Sequence, residues 1–281
     1  MNLPTPLVCA ADLRDMLSRG AAPVLVDTSF DLADPAAGER QWREGHVPGA
    51  HYLHLDRDLS GPKTGTNGRH PLPAREHFAA TVGALGITPQ TAVVVMDRQQ
   101  GTFAVRAWWM LRWLGHRAVA LLDGGVPAWQ AAGGALTTAV PPRTAAPPYP
   151  LGEPTVGRID AAALLARLPR VRLLDARAPE RFRGDVEPLD ARAGHIPGAL
   201  NRFYRDNLRP DGRFKPAEAL RADFEALGAG PGAEVVHQCG SGVTACHNLL
   251  AMEVAGLPPG VLYPGSWSEW SADAARPVAT G

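Results

Sequence analysis

Cysteine is scarce in this chain. Cys9, Cys239 and Cys246 are the three among 281 residues, and none falls in a C-x-x-C or Cys/His ligand spacing. So small and odd a number argues against a disulfide scaffold, and nothing in the residues calls for a metal or an organic cofactor. Long apolar runs are missing as well: no stretch approaches the roughly 18 apolar residues of a membrane span. The opening Met1-Asn2-Leu3-Pro4 carries neither a basic n-region nor an apolar h-region. These absences predict a cytoplasmic protein that does not engage a membrane, in a compartment where thiols stay reduced and a cysteine is free to act as a nucleophile. There is no excess of either charge. The 28 Lys and Arg balance 28 Asp and Glu, which removes the global basic field that would hold nucleic acid and leaves anion recognition to local groups.

What is present is an ordinary globular composition, 45% hydrophobic and 20% charged, in a chain long enough for two domains. It is also written twice. Leu25-Val26-Asp27-Thr28 recurs as Leu173-Leu174-Asp175-Ala176, and Gly45-His46-Val47-Pro48-Gly49-Ala50 recurs as Gly194-His195-Ile196-Pro197-Gly198-Ala199. In the same order, Leu85-Gly86 pairs with Leu227-Gly228, Val93 to Met96 with Val235 to Gln238, and Gly124 with Trp129 matches Gly265 with Trp270. Between the copies, the run Pro141 to Pro150 is too rich in proline for helix or central strand and reads as an extended linker. Short apolar runs (Val24 to Asp27, Ala92 to Met96, Ala118 to Leu122) alternate with helical patterns (Ala74 to Ala84, Phe103 to Leu114). That alternation predicts an α/β chain of two tandem domains, each a mainly parallel sheet flanked by helices. The expected boundaries are 1–136 for the first domain, 137–156 for the linker and 157–281 for the second.

The chemistry concentrates in the second copy. Glu234-Val235-Val236-His237-Gln238 runs into Cys239-Gly240-Ser241-Gly242-Val243-Thr244, and a helical pattern follows from Cys246 to Ala255. Cys239 therefore stands at the carboxyl end of a strand and the amino end of a helix, where ligands of parallel sheets gather and unpaired N–H groups favour a thiolate. Gly240 and Gly242 let the backbone wrap the sulfur, so that amides of the loop, those of Val243 and Thr244 included, can converge on a thiolate, a persulfide or an oxyanion of the substrate. Ser241 is placed to relay a proton or donate a hydrogen bond to substrate, and equally to cap the helix. Cys246, inside the helix, reads as core; Cys9 has no chemical context.

On these motifs the chain resembles the tandem-domain rhodaneses: the Cys-Gly-Ser-Gly-Val-Thr loop, the duplicated Gly-His-φ-Pro-Gly-Ala turn, and Asp175-Ala176-Arg177 leading to Arg181-Phe182-Arg183-Gly184. The match spans both copies. Within that family the loop is similar to that of 3-mercaptopyruvate sulfurtransferases, whereas thiosulfate enzymes carry basic residues there. The resemblance implies transfer of a sulfane sulfur through a persulfide on Cys239. The donor is a small molecule and the acceptor a thiol, such as thioredoxin, or cyanide. It implies Arg181 as a substrate-binding arginine, with a solvated helix-face arginine as the alternative. It implies His46 as a histidine coupled to Ser241, although His195 in the same turn of the other copy leaves room for both to bond backbone. A second arginine of the family pattern is missing from the stretch Asp185 to Asp190, with Arg192 or Arg183 as possible substitutes.

The donor can also be argued from charge. Thiosulfate is a dianion that releases another, so its site gains from cations beside the cysteine, and this loop offers none. Mercaptopyruvate needs an arginine for one carboxylate and donors for an enolate-like leaving group. In the first copy Asp97 holds the cysteine's position, within a loop longer by one residue, so that copy cannot form a persulfide and reads as structural, a wall of the cleft. Asn67 to Pro73 is a candidate interface loop or an ordinary exposed one. A cysteine phosphatase would need Cys-x5-Arg, and the sixth residue after Cys239 is Ala245. A non-catalytic binding module would have no use for the retained Cys239 loop.

Overall fold

A computed structural model describes residues 3, 6–20, 22–142 and 146–281 of the chain. Arg143, Thr144 and Ala145 of the expected linker lie outside them, as do Met1, Asn2 and Pro4 of the opening. The chain divides into two compact units. The first comprises Met1–Ser60, Pro73–Thr155 and Asp211–Arg213, and the second Gly61–Leu72, Val156–Pro210 and Phe214–Gly281.

In the first unit the order is β1 (Leu7–Val8), α1 (Ala10–Ser18), β2 (Val24–Asp27), α2 (Ala37–Glu44), β3 (Ala50–Tyr52), α3 (Arg75–Ala84), β4 (Val93–Met96), α4 (Ala104–Trp113), β5 (Val119–Leu122) and α5 (Gly125–Ala131). The strands form one five-stranded parallel sheet in the order β1-β5-β4-β2-β3. All four residues of β4 and of β5 are buried, as expected of central parallel strands covered on both faces. Cys9 turns out to cap α1: the Asp12 N–H donates to its Sγ at 3.3 Å.

The second unit repeats the plan with β6 (Gly157–Arg158), α6 (Ala161–Arg167), β7 (Arg172–Asp175), α7 (Pro179–Arg183), β8 (Leu200–Asn201), a 3₁₀ turn at Tyr204–Asn207, α8 (Ala217–Ala226), β9 (Val235–Gln238), α9 (Ala245–Val254), β10 (Val261–Leu262) and α10 (Ser266–Trp270). Its sheet runs β6-β10-β9-β7-β8, the same order strand for strand. Helix α9 is buried almost all round and Cys246 is fully buried in it, with its thiol donating to Gly242 O at 3.5 Å. That is the core role expected of it.

Where it is described, the expected linker is bonded to the first unit. Thr137 pairs with His46, and Ala146, Tyr149, Gly152 and Thr155 donate backbone bonds to Gly83, Ala79, Leu114 and Arg112, so the first unit extends through Thr155. The buried Tyr149 supplies an apolar anchor. Conversely residues 61–72, within the first copy by sequence, belong to the compact body of the second unit.

Candidate active site

Strand β9 ends at Gln238, and the six residues 239–244 lead into α9. Cys239 is 2% exposed, and the Gly242 N–H donates to its Sγ at 3.1 Å. The loop is tied down from behind: Cys239 N–H donates to Ser266 Oγ at 3.1 Å, Trp267 N–H to Cys239 O at 3.0 Å, and Ser268 N–H to Gly240 O at 2.9 Å. Gly242 has φ +75°, and a Cβ there would stand 2.3 Å from Pro264 O, so both the turn and the packing demand glycine. Among the described residues the amides of Ser241, Val243 and Thr244 have no acceptor, which leaves N–H donors for an incoming anion at the start of a ten-residue helix.

Ser241 Oγ lies 2.7 Å from His70 Nδ1, and both side chains are buried. His70 is the histidine that sequence reasoning missed. His46 does not hold that place: it lies in the first unit, its Nδ1 2.8 Å from Trp42 O and its Nε2 3.2 Å from Ala139 O, with its ring stacked on Trp42. His195 does the same in the second unit, with Nδ1 2.8 Å from Phe182 O and the ring stacked on Phe182. The duplicated histidines therefore share a backbone-holding role in a duplicated turn. His70 is carried in by residues 61–72, where Arg69 N–H donates to Ser268 Oγ at 3.0 Å, the same serine whose amide holds Gly240.

Two guanidinium groups stand over the loop. A Cβ on Gly240 would be 2.8 Å from Arg69 Nη2 and 3.5 Å from Arg181 Nη1. Arg181 was expected and Arg69 was not. Arg192 is spent elsewhere, donating to the carbonyls of Trp270, Ser271, Asp273 and Arg276 at the end of α10, and Arg183 pairs with the exposed Asp185. The loop itself has no cation, yet two arrive from distant segments, each with a carboxylate attached. Arg181 makes a two-pronged contact with Glu187 (Nη2–Oε1 2.6 Å, Nε–Oε2 3.3 Å), and Asp190 takes Arg181 Nη2 at 3.2 Å on one oxygen and Arg69 Nη1 on the other. Burial pushes the Asp190 carboxyl above its ordinary value against the pull of both arginines. Behind them Arg177, itself buried, clamps Asp175 and reaches Glu187 at 3.4 Å.

The counterpart loop of the first unit, 97–103, is one residue longer, and Asp97 occupies the cysteine's position. Its Oδ1 accepts the amides of Gln99 and Gly101 (2.9 and 2.8 Å), and its Oδ2 those of Phe103 and Ala104 (both 2.8 Å). A carboxylate fills that cradle and offers no nucleophile for sulfur.

A buried cysteine at a helix start, beside a hydroxyl–imidazole pair and two guanidiniums, thus stands on one half of a duplicated α/β chain. The rhodanese-like domain model matches residues 10–132 and 160–273, and the chain belongs to that family; it is a sulfurtransferase, working between a small-molecule sulfur donor and an acceptor. It is 51% identical over 281 residues to a protein of Pseudomonas aeruginosa named "Probable 3-mercaptopyruvate sulfurtransferase", covering 98% of each chain. It is 34% identical to a thiosulfate sulfurtransferase of Gallus gallus, covering 89% of this chain and 87% of the other. The crystal structure of a 3-mercaptopyruvate sulfotransferase of Escherichia coli, described for its rhodanese fold, superposes with a TM-score of 0.79 at 30% identity, covering 94% of this chain and 99% of that one. No helix of the described residues is long and apolar enough to cross a membrane.

Proposed function

We propose that this enzyme moves sulfane sulfur from 3-mercaptopyruvate to a thiol through a persulfide on Cys239. The observation that carries the reading is the Ser241–His70 pair at 2.7 Å beside a cysteine cradled by the Gly242 amide, with Arg69 and Arg181 over Gly240. The donor's carboxylate sits against the guanidiniums of Arg181 and Arg69, which match a carboxylate in two-pronged geometry. Cys239 thiolate attacks the donor sulfur, forming the S–S bond. The C–S bond breaks and its electron pair leaves as pyruvate enolate. Ser241, backed by His70, supplies the proton that the enolate carbon takes up, and the loop amides of Gly240, Gly242, Val243 and Thr244 hold the developing charge and then the persulfide. An acceptor thiolate attacks the outer sulfur and returns the Cys239 thiolate.

His46 keeps its turn in shape and takes no part. Thioredoxin is the acceptor class we favour, with cyanide as its laboratory substitute, and the cytoplasm is the place of action, in keeping with three free cysteines. The test compares kcat/KM for mercaptopyruvate and thiosulfate in wild type, Cys239→Ser and Arg181→Ala. Mercaptopyruvate is expected to be preferred, Cys239→Ser to be inactive with either donor, and Arg181→Ala to raise KM for mercaptopyruvate. A wide preference for thiosulfate overturns the donor assignment.

A further inference from the structure

Arginines beside a sulfur nucleophile should welcome doubly charged donors, yet here each arrives with its own carboxylate. Glu187 and Asp190 are 3% and 4% exposed at the side chain, against 18% and 25% for Arg181 and Arg69, so the carboxylates lie beneath the guanidiniums rather than in solvent. Their roles differ. Glu187 is built into the scaffold, with Arg177 and the Leu189 amide also on its oxygens. Asp190 alone is shared by the two arginines at the loop. Each arginine keeps a donor edge toward Gly240, through Arg69 Nη2 and Arg181 Nη1, while the paired carboxylates offset their charge.

We infer that Asp190 is a specificity-determining residue: by bridging Arg69 and Arg181 it keeps their hydrogen-bonding geometry for a single carboxylate while cancelling the charge that would draw a dianionic sulfur donor. This rests on the proposed function of the same site. A monoanionic α-keto thiol loses little by the cancellation, because its carboxylate is held by directed donors. A dianion such as thiosulfate, whose binding relies on uncompensated charge, loses more.

The experiment measures kcat/KM for mercaptopyruvate and for thiosulfate, at low and high salt, in wild type, Asp190→Asn, Asp190→Glu and the exposed control Asp185→Asn. Asp190→Asn is expected to raise the thiosulfate-to-mercaptopyruvate ratio about 30-fold at low salt, shrinking as salt rises. Asp190→Glu keeps the charge and the wild-type ratio even if both rates fall, and Asp185→Asn leaves the ratio unmoved. Should Asp190→Asn fold poorly, Asp190→Ser is the second neutral variant and carries the same expectation. A ratio unchanged in the neutral variants, or moved equally by Asp185→Asn, overturns the inference while leaving the persulfide reading intact. If wild-type Cys239 takes up sulfur from neither donor, the reading of the site falls, and this inference with it.

Discussion

The loops at 97–103 and 239–244 follow equivalent strands of two sheets with the same strand order, and differ in what each holds. In the first, four amides close on both oxygens of Asp97. In the second, one amide reaches Cys239 Sγ, and those of Ser241, Val243 and Thr244 are unengaged among the described residues. An anion cradle is thus a product of the strand–loop–helix geometry, present in both units. On the proposed reading, what differs is the occupant: a fixed carboxylate saturates the cradle with four amides, whereas a thiol held by one leaves room for a second atom.

The largest effect that tests this contrast is at Cys239, the proposed nucleophile. Cys239→Ser keeps a small polar side chain in place and should lower turnover about 10⁴-fold or more, as removal of a covalent nucleophile does. Steady-state pyruvate release and intact-mass analysis for an added sulfur atom measure it, and a surviving adduct elsewhere on the chain would move the site. Asp97→Ala should do the reverse, leaving turnover per folded molecule in place while costing about 4 kcal/mol of stability through amides stripped of their acceptor. Chemical denaturation followed alongside donor turnover separates the two. Loss of turnover without loss of stability would give the first loop a functional part that its carboxylate does not suggest.

The fold was legible because its signals are local and doubled. Runs such as Val93 to Met96 and the recurrence of Leu25-Val26-Asp27 as Leu173-Leu174-Asp175 announced parallel strands, and each became one. Cys239, Ser241 and Gly242 were legible for the same reason, lying within one strand–loop–helix segment. Arg69 and His70 were not, because they reach the loop from an irregular tract with no periodicity, and the His70–Ser241 contact spans 171 residues. Their signal was two chemistry-bearing side chains side by side between Gly68 and Pro71, in the stretch Asn67 to Pro73 that reads equally as an interface loop or an ordinary exposed one. The duplicated turn instead drew attention to His46, although its recurrence as His195 is what a structural part looks like. Arg192 shows the complementary difficulty, since a guanidinium that caps four carbonyls and one that binds a substrate read alike in a sequence.

The hydroxyl–imidazole pair allows a finer cut. Ser241→Ala and His70→Ala should each lower kcat for mercaptopyruvate about 100-fold, and the double variant little more than either, as the proposed single relay requires. Thiosulfate releases sulfite without needing a proton at carbon, so its turnover should fall much less. Equal losses with both donors would make the pair a support for the loop, with no role in proton transfer, and would bring it closer in kind to the amide-bound Asp97 of the first unit.

The smallest effect lies beneath the loops, where β2 and β7 end on equivalent aspartates. Asp175 is buried but clamped by Arg177, with Nη2–Oδ2 at 2.7 Å, whereas Asp27 has Ser29 where the arginine would be, accepts its amide at 2.8 Å, and has an Oδ2 with no partner among the described residues. Burial pushes the Asp27 carboxyl up to about 6. A carboxyl raised on folding binds more protons in the native state, so its contribution favours the fold at low pH and is lost as pH rises from the ordinary carboxylate range through about 6. Between pH 5 and 7 that loss should amount to about 1 kcal/mol. Denaturant midpoints followed across this window in wild type and Asp27→Asn should diverge by that amount, the variant keeping the flatter curve. Parallel curves would mean that contacts other than an arginine compensate the buried Asp27 carboxyl.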